Sequence, residues 1–168
     1  MIKLAEKMQP KPPEERSGPY QPESREAALA EYIKIYETMS ARSVPLLAKT
    51  LAHDARFKDP FSDVRGPDKI MSIFQKMFRQ LNNPKFHVVD QAWGTGESGN
   101  IAYLRWTLTF TDKSGRREIP GVSEVAFGPD HLIIEHLDYW DSGEHLYARL
   151  PLLGWIINKI RKKLSPKD

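Results

Sequence analysis

Apolar positions in the first half of the chain recur at the three- and four-residue spacing of helices, and from Lys85 onward they alternate with polar ones. Ser24 stands as an N-cap before a run of strong helix formers, and Leu29, Tyr32, Ile33 and Tyr36 make one apolar face through Thr38. Ser43 and Pro45 predict a shorter helix over Val44–Leu51, with the proline in a first turn that needs no amide hydrogen. A strand over Ala55–Lys58 and a loop follow. Pro67–Leu81 then reads as a third helix with Ile70, Ile73, Phe74, Met77 and Phe78 inward, closed by Asn82-Asn83-Pro84. The alternating part predicts four strands, Lys85–Gly94, Ile101–Thr111, Arg117–Phe127 and Leu132–Trp140, separated by turn-forming stretches rich in Gly, Asp, Asn and Ser. Helices first and antiparallel strands after predict an α+β domain, a curved sheet wrapped around its N-terminal helices.

The stretch Asp54–Gly66 places one carboxylate where chemistry can use it. Pro60 has no amide hydrogen and ends the strand, so Asp59 sits at the strand's tip between Phe57 and Phe61. Apolar surroundings disfavour a charged carboxylate and raise its pKa toward the range that moves protons. The plainer reading is a turn-starting Asp before Pro with a solvated side chain.

Composition narrows the classes. The chain has 168 residues, 40% of them hydrophobic, and carries a net charge of +3. That excess lies at the end: beyond residue 145 there are six basic residues against one acid, so the remainder is slightly acidic. A nucleic-acid binder spreads its basic residues over a face, so no nucleic-acid partner is expected. No cysteine is present, which excludes disulfides, thiolate chemistry and cysteine-ligated zinc. No histidine has metal-ligand spacing, and no metal site is expected. The start lacks an apolar run of signal-peptide type, and no stretch is long enough to span a bilayer, so a cytoplasmic protein is expected.

The chain divides into a Pro-rich arm over residues 1–24, expected to be disordered, a folded domain over residues 25–141, and a C-terminal extension over residues 142–168. In that extension Leu152, Leu153, Trp155, Ile156, Ile157, Ile160 and Leu164 give a helix over residues 151–164 a wide apolar stripe, with Lys159, Arg161, Lys162 and Lys163 in its last turns. Three placements fit: packing on the sheet or on a second subunit, lying peripherally on an anionic membrane surface, or capping the domain's mouth.

The segments Ala30-Glu-Tyr-Ile, Ala55-Arg-Phe-Lys-Asp-Pro-Phe, Ile119-Pro-Gly-Val-Ser-Glu-Val-Ala-Phe and Ile134-Glu-His-Leu-Asp-Tyr-Trp-Asp resemble the nuclear transport factor 2-like superfamily, which includes ketosteroid isomerases and SnoaL-like polyketide cyclases. The likeness covers about residues 28–141. It implies a cone-shaped (cystatin-like) α+β fold, a homodimer, and an apolar small-molecule ligand, with no cofactor. It also implies site residues: Tyr32 at the isomerase tyrosine, Asp59 at the general base, and Ser123 where the isomerase has a second, protonated aspartate. A serine there departs from the isomerase pattern, and so does a longer Tyr32–Asp59 spacing. The superfamily hosts isomerases, cyclases and dehydratases as well as members that only bind.

Strand parity adds the remaining candidates. In Leu132–Trp140, alternation puts Ile134, His136, Asp138 and Trp140 on one face. Ser123 shares the more apolar face of its strand with Ile119, Val125 and Phe127, and Trp106 shares one with Ala102, Leu104, Leu108 and Phe110. If these faces line the cone, Asp59, Tyr32, Ser123, His136 and Asp138 meet in a pocket walled by Phe57, Phe61, Trp106 and Trp140. His136 with Asp138 is then an alternative acid/base pair. The rival reading makes that pair structural, parks the Tyr32 hydroxyl on a backbone carbonyl, and leaves a non-catalytic binding or scaffold protein.

Overall fold

Ser24 caps the first helix as its position predicts, its hydroxyl accepting from the Ala27 amide at 3.2 Å. This helix, α1 (Arg25–Glu37), buries Ala28, Leu29, Tyr32, Ile35 and Tyr36, with Ile35 taking the covered place expected of Ile33. The structure, a computed structural model, describes residues 21–95, 100–147 and 151–164. Most of the arm expected over residues 1–24 therefore lies outside the described residues.

Val44–Thr50 forms a tight 3-10 helix and not an α-helix. Seven residues with Pro45 at the start leave little room for an i to i−4 ladder. Ser43 does not cap it, because its hydroxyl accepts instead from the Ser40 amide at 2.9 Å. The first strand, β1 (Leu51–Lys58), starts four residues earlier than Ala55. The loop expected after it contains a further strand, β2 (Asp63–Arg65), too short for its alternation to be read. Pairing makes β2: Phe57 lies opposite Val64 and Lys58 opposite Asp63, and Arg56 grips Asp63 through two hydrogen bonds of 2.8 and 2.6 Å. Gly66, at φ 93°, turns the chain into α2 (Pro67–Gln80) in a backbone conformation that favours glycine.

The long strands follow: β3 (Asn82–Trp93), β4 (Ile101–Asp112), β5 (Gly115–Phe127) and β6 (Ile133–Tyr139). Together with β1 and β2 they form one curved, unclosed sheet in the order β2-β1-β6-β5-β4-β3. β1 runs parallel to β6, and the other pairs are antiparallel. α1 and α2, with Phe74 of α2 inward, pack against the sheet's inward residues, among them Phe57, Phe86, Trp106 and Val125.

One irregularity changes which side chains face inward. Phe127 pairs with Ile133 and Ala126 with Glu135, so Ile134 is an extra residue in β6. The bulge buries Ile133 and turns Ile134 outward, 44% exposed, which corrects the inward placement strict alternation gives it. Beyond it the alternation resumes, and His136 is buried. The extension carries two helices, α3 (Ser142–His145), capped by Asp141, and α4 (Pro151–Leu164). Among the described residues no helix is long and apolar enough to cross a membrane.

Candidate functional site

Register alone brings four of the candidate residues to one spot. Ser123 of β5 lies opposite Asp138 of β6 and Leu104 of β4; Val125 lies opposite His136; and His136 is level with Phe57 of the parallel strand β1. From the helix layer, Tyr32 reaches down onto His136. The result is a continuous chain of buried hydrogen bonds. Trp106 Nε1 is 2.7 Å from Ser123 Oγ, Ser123 Oγ 2.5 Å from Asp138 Oδ1, Asp138 Oδ1 2.6 Å from His136 Nε2, and His136 Nδ1 2.8 Å from the Tyr32 hydroxyl.

Donor chemistry orders the links from the indole end. An indole N–H only donates, so Ser123 accepts from Trp106 and passes its own proton to Asp138. A carboxylate only accepts, so His136 Nε2–H donates to Asp138 as well. With the ring proton on Nε2 alone, Nδ1 accepts from the Tyr32 hydroxyl. In that tautomer the protons of Tyr32 and Ser123 are both committed inside the protein. Burial pushes the Tyr32 phenol far above its ordinary pKa, with the negative charge of Asp138 adding to the effect, so it stays protonated.

Rings hold His136 from both sides. Tyr36 stacks on it at 5.6 Å between centroids and Phe57 at 5.1 Å, with Tyr32 edge-on at 5.8 Å. Tyr36 is buried, yet its hydroxyl has no well-formed hydrogen bond. Trp106 fits against β5 because Gly121 is its cross-strand partner, and a Cβ at that position would overlap the indole ring.

Beside the end of this chain, at the tips of β1 and β6, lies a cleft of about 360 Å³ lined by Arg56, Lys58, Asp59, Pro60, Leu137, Asp138, Tyr139 and Trp140. Asp59 is half-buried there. Its Oδ1 accepts from the Phe61 amide at 2.8 Å, the turn-starting bond that the plainer sequence reading expects. Burial nevertheless outweighs that bond and raises its pKa above the ordinary carboxylate value, and the nearby charge of Asp138 acts in the same direction. Asp138 receives both of its hydrogen bonds on Oδ1, and Oδ2 makes none among the described residues.

Of the sequence candidates, Asp59, Asp138 and Trp140 thus line the cleft. Tyr32, Ser123, His136 and Trp106 lie behind it in the hydrogen-bonded core, and Phe57 packs under His136. Phe61 is 51% exposed and meets Trp140 and Tyr147 edge-on at the rim. The Tyr32 hydroxyl sits on His136 and not on a carbonyl. Sequence reasoning missed Gly121, which a glycine inside a strand could have signalled, and it missed the cleft's cations, Arg56 and Lys58. Arg56 also bonds Glu135 at 3.0 Å. Among the described residues no group of three or more acidic or histidine side chains is placed to hold a metal ion.

A family profile for the SnoaL-like domain matches residues 32–136, from the tyrosine to the histidine of the buried chain. The protein belongs to the SnoaL-like family. No curated protein sequence matches it. Solved structures share the fold at low identity. A steroid delta-isomerase from Pseudomonas aeruginosa is 19% identical, covering 83% of this chain and 92% of its own, with a TM-score of 0.56. A Catenulispora acidiphila protein of ketosteroid isomerase-like fold, in complex with trimethylamine, is 10% identical over 71% of this chain and 88% of its own, TM-score 0.58. A Mycobacterium tuberculosis protein in complex with an estradiol hemisuccinate is 15% identical over 68% of this chain and 91% of its own, TM-score 0.53.

Proposed function

We propose that this SnoaL-like protein binds a small apolar carbonyl compound in the cleft at the tips of β1 and β6 and moves a proton on it, with Asp59 as the base. The observation that carries this is the pair of carboxylates in one cleft, with Asp59 raised by burial and by its neighbour. A carboxylate of raised pKa is better matched to taking a proton from carbon beside a carbonyl and returning it elsewhere, the isomerase or cyclase type of step. Trp140 and Leu137 supply apolar wall. The fold neighbours crystallised with a steroid ester and with trimethylamine support a small-molecule role.

Tyr32 and Ser123 take a different part here from the one the isomerase resemblance implies. Each is hydrogen-bonded to His136 or Asp138, so they act by holding those groups in place. The charged donors lining the cleft are Arg56 and Lys58, and these would meet charge developing on a substrate oxygen. A second reading has its own observation: each of the five side chains in the chain finds a hydrogen-bond partner within it, as in a purely structural network. In that case the cleft binds without catalysis.

A thermal-shift screen of apolar and polycyclic carbonyl compounds, run on wild type and Asp59→Asn, separates the two. A compound that stabilises both proteins and is chemically altered only by wild type assigns Asp59 its role. A compound that stabilises both and is altered by neither leaves the binding reading in place.

A further inference from the structure

Among the described residues, α4 carries the densest run of uncovered apolar side chains. Trp155, Ile156, Ile160 and Leu164 are 66%, 45%, 52% and 78% exposed. Ile156, Ile160 and Leu164 follow one another at four-residue steps and so form one stripe along the helix. Trp155, Lys159 and Lys163 form the adjoining stripe, and the Lys159 ammonium lies over the Trp155 ring at 5.0 Å. Gly154, away from this stripe, is buried, and Ile157, next to Leu164 on the helix surface, is half-buried, so the helix has a covered side and still leaves this stripe uncovered.

Charge tells what covers it. Residues 151–164 include Lys159, Arg161, Lys162 and Lys163 and no acid at all. A helix with exposed Trp and aliphatic residues flanked by cations matches the boundary of an anionic bilayer, where apolar side chains enter the acyl region and ammonium groups stay with the headgroups. Its 14 residues reach about 21 Å, less than the ~30 Å hydrocarbon core, so it lies on the membrane and does not cross it. A second copy fits less well. Two such helices face to face would bring their cations together with no acid to offset them. The stripe from Trp155 to Leu164 is also only about 13 Å long, small beside the ~800 Å² per partner of a stable interface.

We propose that α4 is a docking surface for anionic lipid, holding the protein at a membrane surface. In sequence α4 begins four residues after Tyr147, whose ring packs on Phe61 at the cleft rim. Docking would thus hold the cleft close to an apolar phase.

The test is flotation of the full chain with vesicles of phosphatidylcholine alone and of phosphatidylcholine mixed with phosphatidylglycerol. Binding is expected to the mixed vesicles only, and to weaken as salt rises. Each basic residue near an anionic surface strengthens binding about fivefold, so Lys159→Gln with Lys163→Gln should lower it roughly 25-fold. Ile160→Asn should abolish it, and because all three positions are exposed their melting curves should match wild type. A shift of fluorescence to shorter wavelength on vesicle addition, lost in Trp155→Phe, would place that indole in the interface. Equal binding to both vesicles, or anionic binding that survives both sets of substitutions, overturns the proposal. So does a dimer in light scattering that Ile160→Asn dissociates while vesicles go unbound; that result gives the stripe to a second copy.

Discussion

The Tyr32 hydroxyl on α1 holds His136 Nδ1 on the last strand at 2.8 Å, joining residues 104 apart in sequence. This bond ties the helix layer to the sheet at the buried chain's end. Tyr32→Phe leaves the imidazole acceptor buried and unpaired, which costs about 1–3 kcal/mol. Urea unfolding should show a lower midpoint with an unchanged slope. No loss of stability would mean that His136 finds another donor, with the nearby Tyr36 hydroxyl the first to examine.

Gly121 is expected to tolerate no side chain. In Gly121→Ala the new methyl overlaps the Trp106 indole, which also packs edge-on against Phe86 at 5.6 Å between ring centroids. Overpacking of this kind costs about 1–3 kcal/mol. Moving the indole also breaks its bond to Ser123, so a changed tryptophan emission spectrum should accompany the lower melting temperature.

Asp59 gives a pH signature of defined sign. Its folded pKa is raised, so the folded state holds a proton more tightly than the unfolded one. Its favourable contribution is therefore complete below the unfolded carboxylate value and is lost as pH rises through the higher, folded one. Asp59→Asn removes the charge and keeps an oxygen for the Phe61 amide. The variant should be more stable than wild type at neutral pH, with the difference closing as the pH is lowered past the unfolded value. A difference independent of pH would remove the burial of charge at Asp59 from the account.

Arg56 clamps three strands, bonding Asp63 on β2 and Glu135 on β6 from its place on β1. These groups are partly exposed, so Arg56→Met should lower the global stability only slightly, and less at high salt. Its local effect is larger: amide exchange should speed up in Asp63–Arg65, whose short pairing to β1 rests on that clamp.

The sequence by itself determined the long helices and strands and the family. Ser24, Pro45, Pro67 and the alternation after Lys85 are local instructions, readable because capping, turn chemistry and side-chain period act over a few residues. The likeness to the SnoaL-like family was legible for the same reason, in segments around Tyr32, Asp59, Ser123 and His136. Only the tertiary structure decided what those residues do to one another. β2 exists because Arg56 and the edge of β1 are there to pair with it, and nothing within Asp63–Arg65 announces a strand. The bulge at Ile134 sets which residues of β6 face inward, and it depends on pairing with β5 and β1 together. The direction of the proton chain needed Trp106, Ser123, Asp138, His136 and Tyr32 in one place. Long-range register and burial select among contacts that a local pattern leaves equally open. That is why Tyr32 became the partner of His136, and why Asp59, beside Asp138, was left facing the cleft.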